Sequence, residues 1–156
     1  MEVKTRRLEN NVITLGTGII AFSIWALLKY AMTFFSDLSY ADEMSAGARV
    51  IFFASVIVIS LTDVLFHFYI GVSARSEGKG KKKTPLYLVL TAFIIMVYLV
   101  AIVFEIYFLL QEKSLFSIFV TTLVDVTSTV IFIEMFVYAV QLRRIRRQKR
   151  QKEAMV

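Results

Sequence analysis

Two aspartates lie inside long apolar stretches of the sequence, where an ionised side chain is costly. Asp63 occurs in the segment SLTDV and Asp125 in the segment TLVDV, each within a run long enough to cross a bilayer. A carboxylate in such a run usually faces a bundle interior, a water-filled cavity or a partner, and it often marks function. We therefore take these two residues as the centre of the predicted polar site.

His67 follows Asp63 by one helical turn, and Ser60 precedes Asp63 by three residues. The spacing i, i+3, i+7 predicts that Ser60, Asp63 and His67 share one face of a helix. Asp63 and His67 together could form a charged hydrogen bond or contribute to a metal site. Two ligands on one helix need others from elsewhere, so the sequence leaves a metal undecided, and a purely structural histidine is the alternative.

Acidic side chains outnumber basic ones within the apolar stretches. Lys29 and His67 are the bases well inside them, although Lys29 could also snorkel to the membrane interface. Two acids close together in a medium of low dielectric do not both ionise freely, so the surplus favours binding of a proton or a cation. The predicted ion- or proton-binding residues are Asp63, Asp125, His67, Glu134 and Glu105, and the predicted supporting polar residues are Ser60, Thr121, Ser128 and Lys29.

The composition of the whole chain indicates the elements that position these residues. Of 156 residues, 58% are hydrophobic and 19% are charged, whereas a soluble domain has roughly half and a quarter. The apolar residues form long blocks, which is typical of membrane helices. We predict an all-α, polytopic membrane protein with four transmembrane helices in an up-down bundle. The predicted single domain is 1–156, with helices at about 11–35, 46–74, 85–111 and 114–147 and a basic cytoplasmic tail at 143–156.

Local signals sharpen some of these boundaries. Ser45 is a suitable N-cap for the second helix, and Thr84 followed by Pro85 predicts the start of the third.

The resemblance between the segments around Asp63 and Asp125 is consistent with two helical hairpins of the same orientation, or with chance similarity between apolar sequences. The fourth helix carries polar residues on two sides, which predicts a central position or a protein interface. These two stripes are Thr121, Asp125 and Ser128, and Thr127, Glu134 and Tyr138.

The distribution of positive charge predicts the orientation in the membrane. Lys and Arg number 18, and 15 of them lie in the first seven residues, in 75–83 or in the tail. By the positive-inside rule, both termini of a multi-pass protein of the cell membrane are then cytoplasmic. The tail is predicted to bind anionic lipid headgroups at the cytoplasmic face rather than nucleic acid. The predicted lipid-binding residues are Arg143, Arg144, Arg146 and Arg147.

Two functions fit these features best. The first is a proton- or cation-handling transport or channel subunit that uses the intramembrane carboxylates. The second is a non-catalytic accessory or assembly subunit that binds another membrane protein through its polar helix faces. The absence of cysteine excludes thiol catalysis and Cys-based zinc sites, and a lone histidine disfavours an enzyme built on Asp63, His67 and Glu134. We expect no cofactor, and either a homo-oligomer or a subunit of a larger membrane complex.

Overall fold

The computed structural model describes residues 2–41, 45–81, 84–111 and 115–154, and four α-helices contain nearly all of them. The side chains at 2, 28–41, 108–111, 115–118 and 120–121 lie outside this description. The helices are α1 (Glu2–Ala41), α2 (Ala46–Gly78), α3 (Leu86–Gln111) and α4 (Leu115–Glu153). The predicted all-α fold is confirmed. Within the described part of the chain, four segments are long and apolar enough to cross a membrane, namely Val3–Leu27, Ala46–Gly78, Leu86–Tyr107 and Thr122–Glu153.

α1 extends beyond both of its predicted ends. The polar start of the chain was expected to precede the helix, but α1 already begins at Glu2. The physical reason is an apolar stripe that continues through this segment. Leu8, Val12 and Ile19 are buried at spacings of four and seven residues, so the helix can pack on its neighbours before the predicted span begins.

α2 also runs further than predicted, to Gly78 instead of residue 74. Its end is set by Gly80, whose φ of +85° is readily adopted only by glycine. The Gly80 N–H donates to the Glu77 carbonyl at 2.9 Å, and the Lys81 N–H donates to the Ser76 carbonyl at 3.1 Å. These two bonds close the helix in a Schellman motif. The basic stretch after residue 74, which the predicted bounds place between helices, is therefore partly helical.

The starts of α2, α3 and α4 and the end of α3 lie within one residue of their predicted positions. The Ser45 hydroxyl accepts a backbone N–H at 3.4 Å and caps α2 as predicted. In α3 the Pro85 carbonyl accepts the N–H of Leu88 at 2.9 Å, so Pro85, and not Thr84, immediately precedes the helix. The end of α4 differs, because the helix continues through the basic tail to Glu153, six residues beyond its predicted end.

The closest helix packing joins α1 and α2. α1 also packs on α4, and α3 packs mainly on α4. At Gly16, an added Cβ would lie 2.8 Å from the Arg75 backbone nitrogen and 2.8 Å from the Gly71 carbonyl oxygen. At Gly71, it would lie 2.7 Å from the Gly16 carbonyl oxygen. The two backbones are thus nearly in contact, which small residues permit at helix interfaces in membranes.

Candidate functional site

Three polar side chains from α2 and α3 meet midway along these helices, and we name them the Asp63 cluster: Asp63, His67 and Tyr98. His67 Nδ1 lies 2.8 Å from the Asp63 carbonyl oxygen and 3.4 Å from Asp63 Oδ1. The Tyr98 hydroxyl lies 3.0 Å from His67 Nε2 and 3.4 Å from both carboxylate oxygens of Asp63. Ser60 and His67 are buried and Asp63 is partly buried on the same face, as their spacing predicts.

The hydrogen bonds of the Asp63 cluster define the tautomer of neutral His67. A backbone carbonyl only accepts hydrogen bonds, so Nδ1 at 2.8 Å from the Asp63 carbonyl carries the proton. Nε2 then has a free lone pair and accepts the hydroxyl proton of Tyr98. A second proton on His67 would make Nε2 a donor to the Tyr98 oxygen, and the Tyr98 proton would then turn towards the Asp63 carboxylate.

Aromatic rings enclose one side of the cluster, and a groove opens on the other. The Phe132 ring lies 5.0 Å from the His67 ring and 6.2 Å from the Tyr98 ring, centroid to centroid. His67 is 1% exposed, whereas the Asp63 side chain is 15% exposed. A groove of about 360 Å³ between α2 and α3 reaches Asp63 and Tyr98. The carboxylate is therefore the accessible member of the cluster, and the imidazole is the enclosed one.

Asp125 occupies the buried face of α4. Its exposed fraction is 4%, and Ser128 and Phe132 follow it at i+3 and i+7 on the same face. Because Phe132 touches His67, this face of α4 is directed towards the Asp63 cluster. Asp125 lies about 10 Å from Phe132 along the helix axis. Of the two polar stripes on this helix, the one with Asp125 and Ser128 therefore faces the interior.

Other predicted site residues lie elsewhere. Glu134 and Thr127 are exposed on the outer surface of α4, and Glu105 is partly buried in the last third of α3. The side chains of Lys29 and Thr121 lie outside the described residues. Among the described side chains, no three His, Asp or Glu residues converge as metal ligands.

A second polar site, which the sequence analysis missed, lies at the end of α2; we name Glu77, Tyr87, Arg143 and Arg146 the Glu77 network. The Glu77 side chain is 5% exposed and accepts two bonds from Arg143, from Nε to Oε1 and from Nη2 to Oε2, each at 2.6 Å. The Tyr87 hydroxyl donates to Oε2 at 2.7 Å. Such a two-pronged guanidinium–carboxylate contact is among the stronger hydrogen-bonded pairs in proteins.

Arg146 extends this network to α1. Its Nη1 donates to the Glu77 carbonyl at 2.9 Å, and its Nη2 donates to Glu9 Oε1 at 2.7 Å. Arg143 also donates to the Thr84 carbonyl at 3.2 Å. Lipid binding by these two arginines stays a prediction of the sequence, and in the structure their guanidinium groups contact protein acceptors. Arg144 and Arg147, which were assigned with them, are exposed.

One sequence signal pointed to the Glu77 network. Glu77 is the single acid in the basic stretch 75–83, and an isolated acid among cations is a candidate ion-pair partner. Tyr98 had no comparable signal, because α3 is apolar around nearly its whole circumference.

Comparison of the chain with protein-family models, with curated proteins and with solved structures gave no match. The described side chains form two polar sites, the Asp63 cluster midway along the helices and the Glu77 network at one end of them.

Proposed function

We propose that this chain is a small integral membrane protein that handles protons or cations, as a transport or channel subunit, through the Asp63 cluster. The observation that carries this proposal is the contact of a carboxylate, a phenol and an imidazole midway along apolar helices. A proton suits the cluster best, because Tyr98 lies within hydrogen-bond distance of both titratable partners. A groove between α2 and α3 reaches the carboxylate, and most of the side chains that line it are apolar.

The cluster can relay a proton without net change at Tyr98. In the first step, a proton binds the Asp63 carboxylate. Tyr98 then donates its hydroxyl proton to His67 Nε2 and takes the proton held by Asp63. One proton enters at Asp63, one is gained at His67, and the phenol is restored. Asp125, on the interior face of α4, is our candidate carboxylate for a further step.

Flux measurements test this function. In liposomes with an imposed membrane potential and an internal pH dye, the wild-type protein should transfer protons. The Asp63→Asn variant keeps the shape of the side chain but cannot bind a proton, so we expect flux to fall to the level of empty liposomes. Tyr98→Phe removes only the bridging hydroxyl, so we expect flux to fall while the protein stays folded.

Glu134→Gln is the matched control for this experiment. It also removes one carboxylate from a candidate membrane span, but from the exposed face of α4. We expect proton flux through this variant to equal that of the wild type. Equal flux through wild-type protein and Asp63→Asn, or no flux above empty liposomes for the wild type, would contradict a proton-handling role.

We further infer an up-down bundle with both termini on the cytoplasmic side of the cell membrane. The helix contacts support the up-down part, since Gly16 lies against Gly71 and Glu9 lies against Gly78. The ion pairs support the second part, because Arg146 and Arg143 join the start of α1 and the end of α2 to the basic tail. Three basic segments thus meet at one end, which the positive-inside rule assigns to the cytoplasm.

Cysteine labelling tests this topology. The chain has no cysteine, so single cysteines report only their own positions. Gly47→Cys and Lys81→Cys place a thiol in exposed positions at opposite ends of α2. A membrane-impermeant maleimide added to intact cells should label residue 47 and should label residue 81 only after the membrane is opened. Labelling of both positions in intact cells would contradict the topology.

The exposure of Glu134 favours a second function, that of an accessory subunit. A carboxylate facing lipid at mid-helix is costly, and a second chain covering α4 would remove that cost. The purified wild-type protein would then be an oligomer or a stoichiometric complex in mild detergent. In that case Glu134→Gln, the flux control, would reduce the size of the assembly while leaving the Asp63 cluster unchanged.

A further inference from the structure

A charged cleft of about 460 Å³ lies beside the Glu77 network, between the end of α2 and the C-terminal part of α4. Five basic and two acidic side chains of the described residues line it, which gives a formal surplus of three positive charges. The lining residues with formal charge are Lys81, Arg143, Arg146, Arg147 and Arg150, with Glu9 and Glu77.

The two acids of the cleft are already engaged by two of its arginines. Arg143 holds the Glu77 carboxylate, and Arg146 bridges the Glu77 carbonyl and Glu9. The positive surplus therefore comes from Lys81, Arg147 and Arg150, which are exposed. These three cations line the cleft together with Arg143 and Arg146, whose guanidinium groups are held in place by hydrogen bonds of 2.6 to 2.9 Å. An anion can therefore bind to the three exposed cations without displacing Arg143 or Arg146.

We propose that this cleft binds a phosphomonoester group. Such a group carries between one and two negative charges at neutral pH and offers three strong acceptor oxygens. Arginine forks match phosphate geometry, and a lysine adds a mobile point charge. The backbone of Lys81 is fixed by its bond to the Ser76 carbonyl, directly after the Gly80 turn. The three exposed cations are thus presented from two directions, by the end of α2 and by α4.

The phosphomonoester could belong to a lipid headgroup or to a soluble metabolite. Both would present the same group to Lys81, Arg147 and Arg150. A defined cleft differs physically from diffuse attraction of the basic tail to an anionic surface. Diffuse attraction weakens by a similar factor, about fivefold, for each cation removed. Binding in a defined cleft instead weakens strongly when a cation that lines the cleft is removed, and only slightly when a cation elsewhere in the tail is removed.

Native mass spectrometry of the full chain in detergent tests the proposal. The probes are phosphatidic acid, which carries a phosphomonoester, phosphatidylglycerol, which carries a phosphodiester, and soluble glycerol phosphate. We expect one phosphatidic acid to bind per chain, more tightly than phosphatidylglycerol. Arg150→Gln and Lys81→Gln should each weaken this binding about tenfold or more, because each removes a charge-assisted hydrogen bond.

Arg144→Gln is the matched control, because it removes the same charge from the tail outside the cleft lining. We expect a clearly smaller loss for Arg144→Gln than for Arg150→Gln, and little dependence of that difference on salt. Competition by glycerol phosphate at similar affinity would identify a soluble ligand, and its failure to compete would identify a lipid headgroup. Equal losses for Arg144→Gln and Arg150→Gln, or no preference for the phosphomonoester, would overturn the proposal.

Discussion

Glu77→Ala is expected to lower the free energy of unfolding by about 3 kcal/mol, because it leaves a buried network without its acceptor. Arg143 would lose both of its 2.6 Å bonds, and the Tyr87 hydroxyl, on a side chain 1% exposed, would lose its partner. This loss of folding free energy should lie at the lower end of the range of about 3–5 kcal/mol that is typical when one partner of a buried ion pair is removed. The reason is that the Arg143 side chain is 26% exposed and can regain some water.

Glu153→Ala is the matched control for this substitution. Glu153 pairs with Lys149 at 3.8 Å, but the two side chains are 64% and 76% exposed. Removing such a pair should change the free energy of unfolding by about 0.5 kcal/mol or less. SDS-induced unfolding in mixed micelles, followed by circular dichroism, measures both variants. Similar losses for the two variants would show that the Glu77 network contributes no more than a surface ion pair.

The arrangement of residues within one helix could be predicted from the sequence, because helix geometry alone determines it. The spacing of Ser60, Asp63 and His67 was sufficient to place them on one face. The four apolar segments and the Ser45 cap could also be predicted, because each depends only on residues that are neighbours in the sequence.

The contacts between helices could not be predicted, because they depend on how each helix is rotated about its axis. Tyr98 completes the Asp63 cluster, yet nothing in the apolar sequence of α3 distinguishes it from Tyr87 or Tyr107. The two polar stripes of α4 were equally plausible candidates for the interior. Packing of Phe132 against His67 directs the Asp125 stripe inwards and leaves Glu134 outside.

The ends of the helices were predicted least well, because tertiary contacts override local signals there. The glycines and lysines after residue 74 predicted a loop, but α2 continues to Gly78, which packs against Ile13 of α1. The extra turn brings Glu77 within reach of Arg143, so the error in the boundary also concealed the network. A cation-rich tail predicts lipid contact for every arginine, and only the folded chain distinguishes Arg143 from Arg144.

Gly16→Ala and Gly18→Ala are expected to change stability in opposite directions, although the two residues lie in the same helix. At Gly18, an added Cβ would meet nothing within 4 Å. The alanine there should stabilise the helix by about 0.5–1 kcal/mol, because it restricts the unfolded backbone. At Gly16, the same methyl group would lie 2.8 Å from two backbone atoms of α2. Neither atom can move without displacing the helix, so we expect a loss of about 1–3 kcal/mol.

The sign difference makes this pair a direct test of the close approach of α1 and α2. Intrinsic helix propensity is the same at both sites, so it cancels in the comparison. SDS-induced unfolding of the two variants measures the difference, and Gly71→Ala should behave like Gly16→Ala, because its Cβ would lie 2.7 Å from the Gly16 carbonyl. Stabilisation by alanine at both positions 16 and 18 would mean that the two backbones are further apart than described. The opposite signs would identify Gly16 and Gly71 as the residues that allow α1 and α2 to pack this closely.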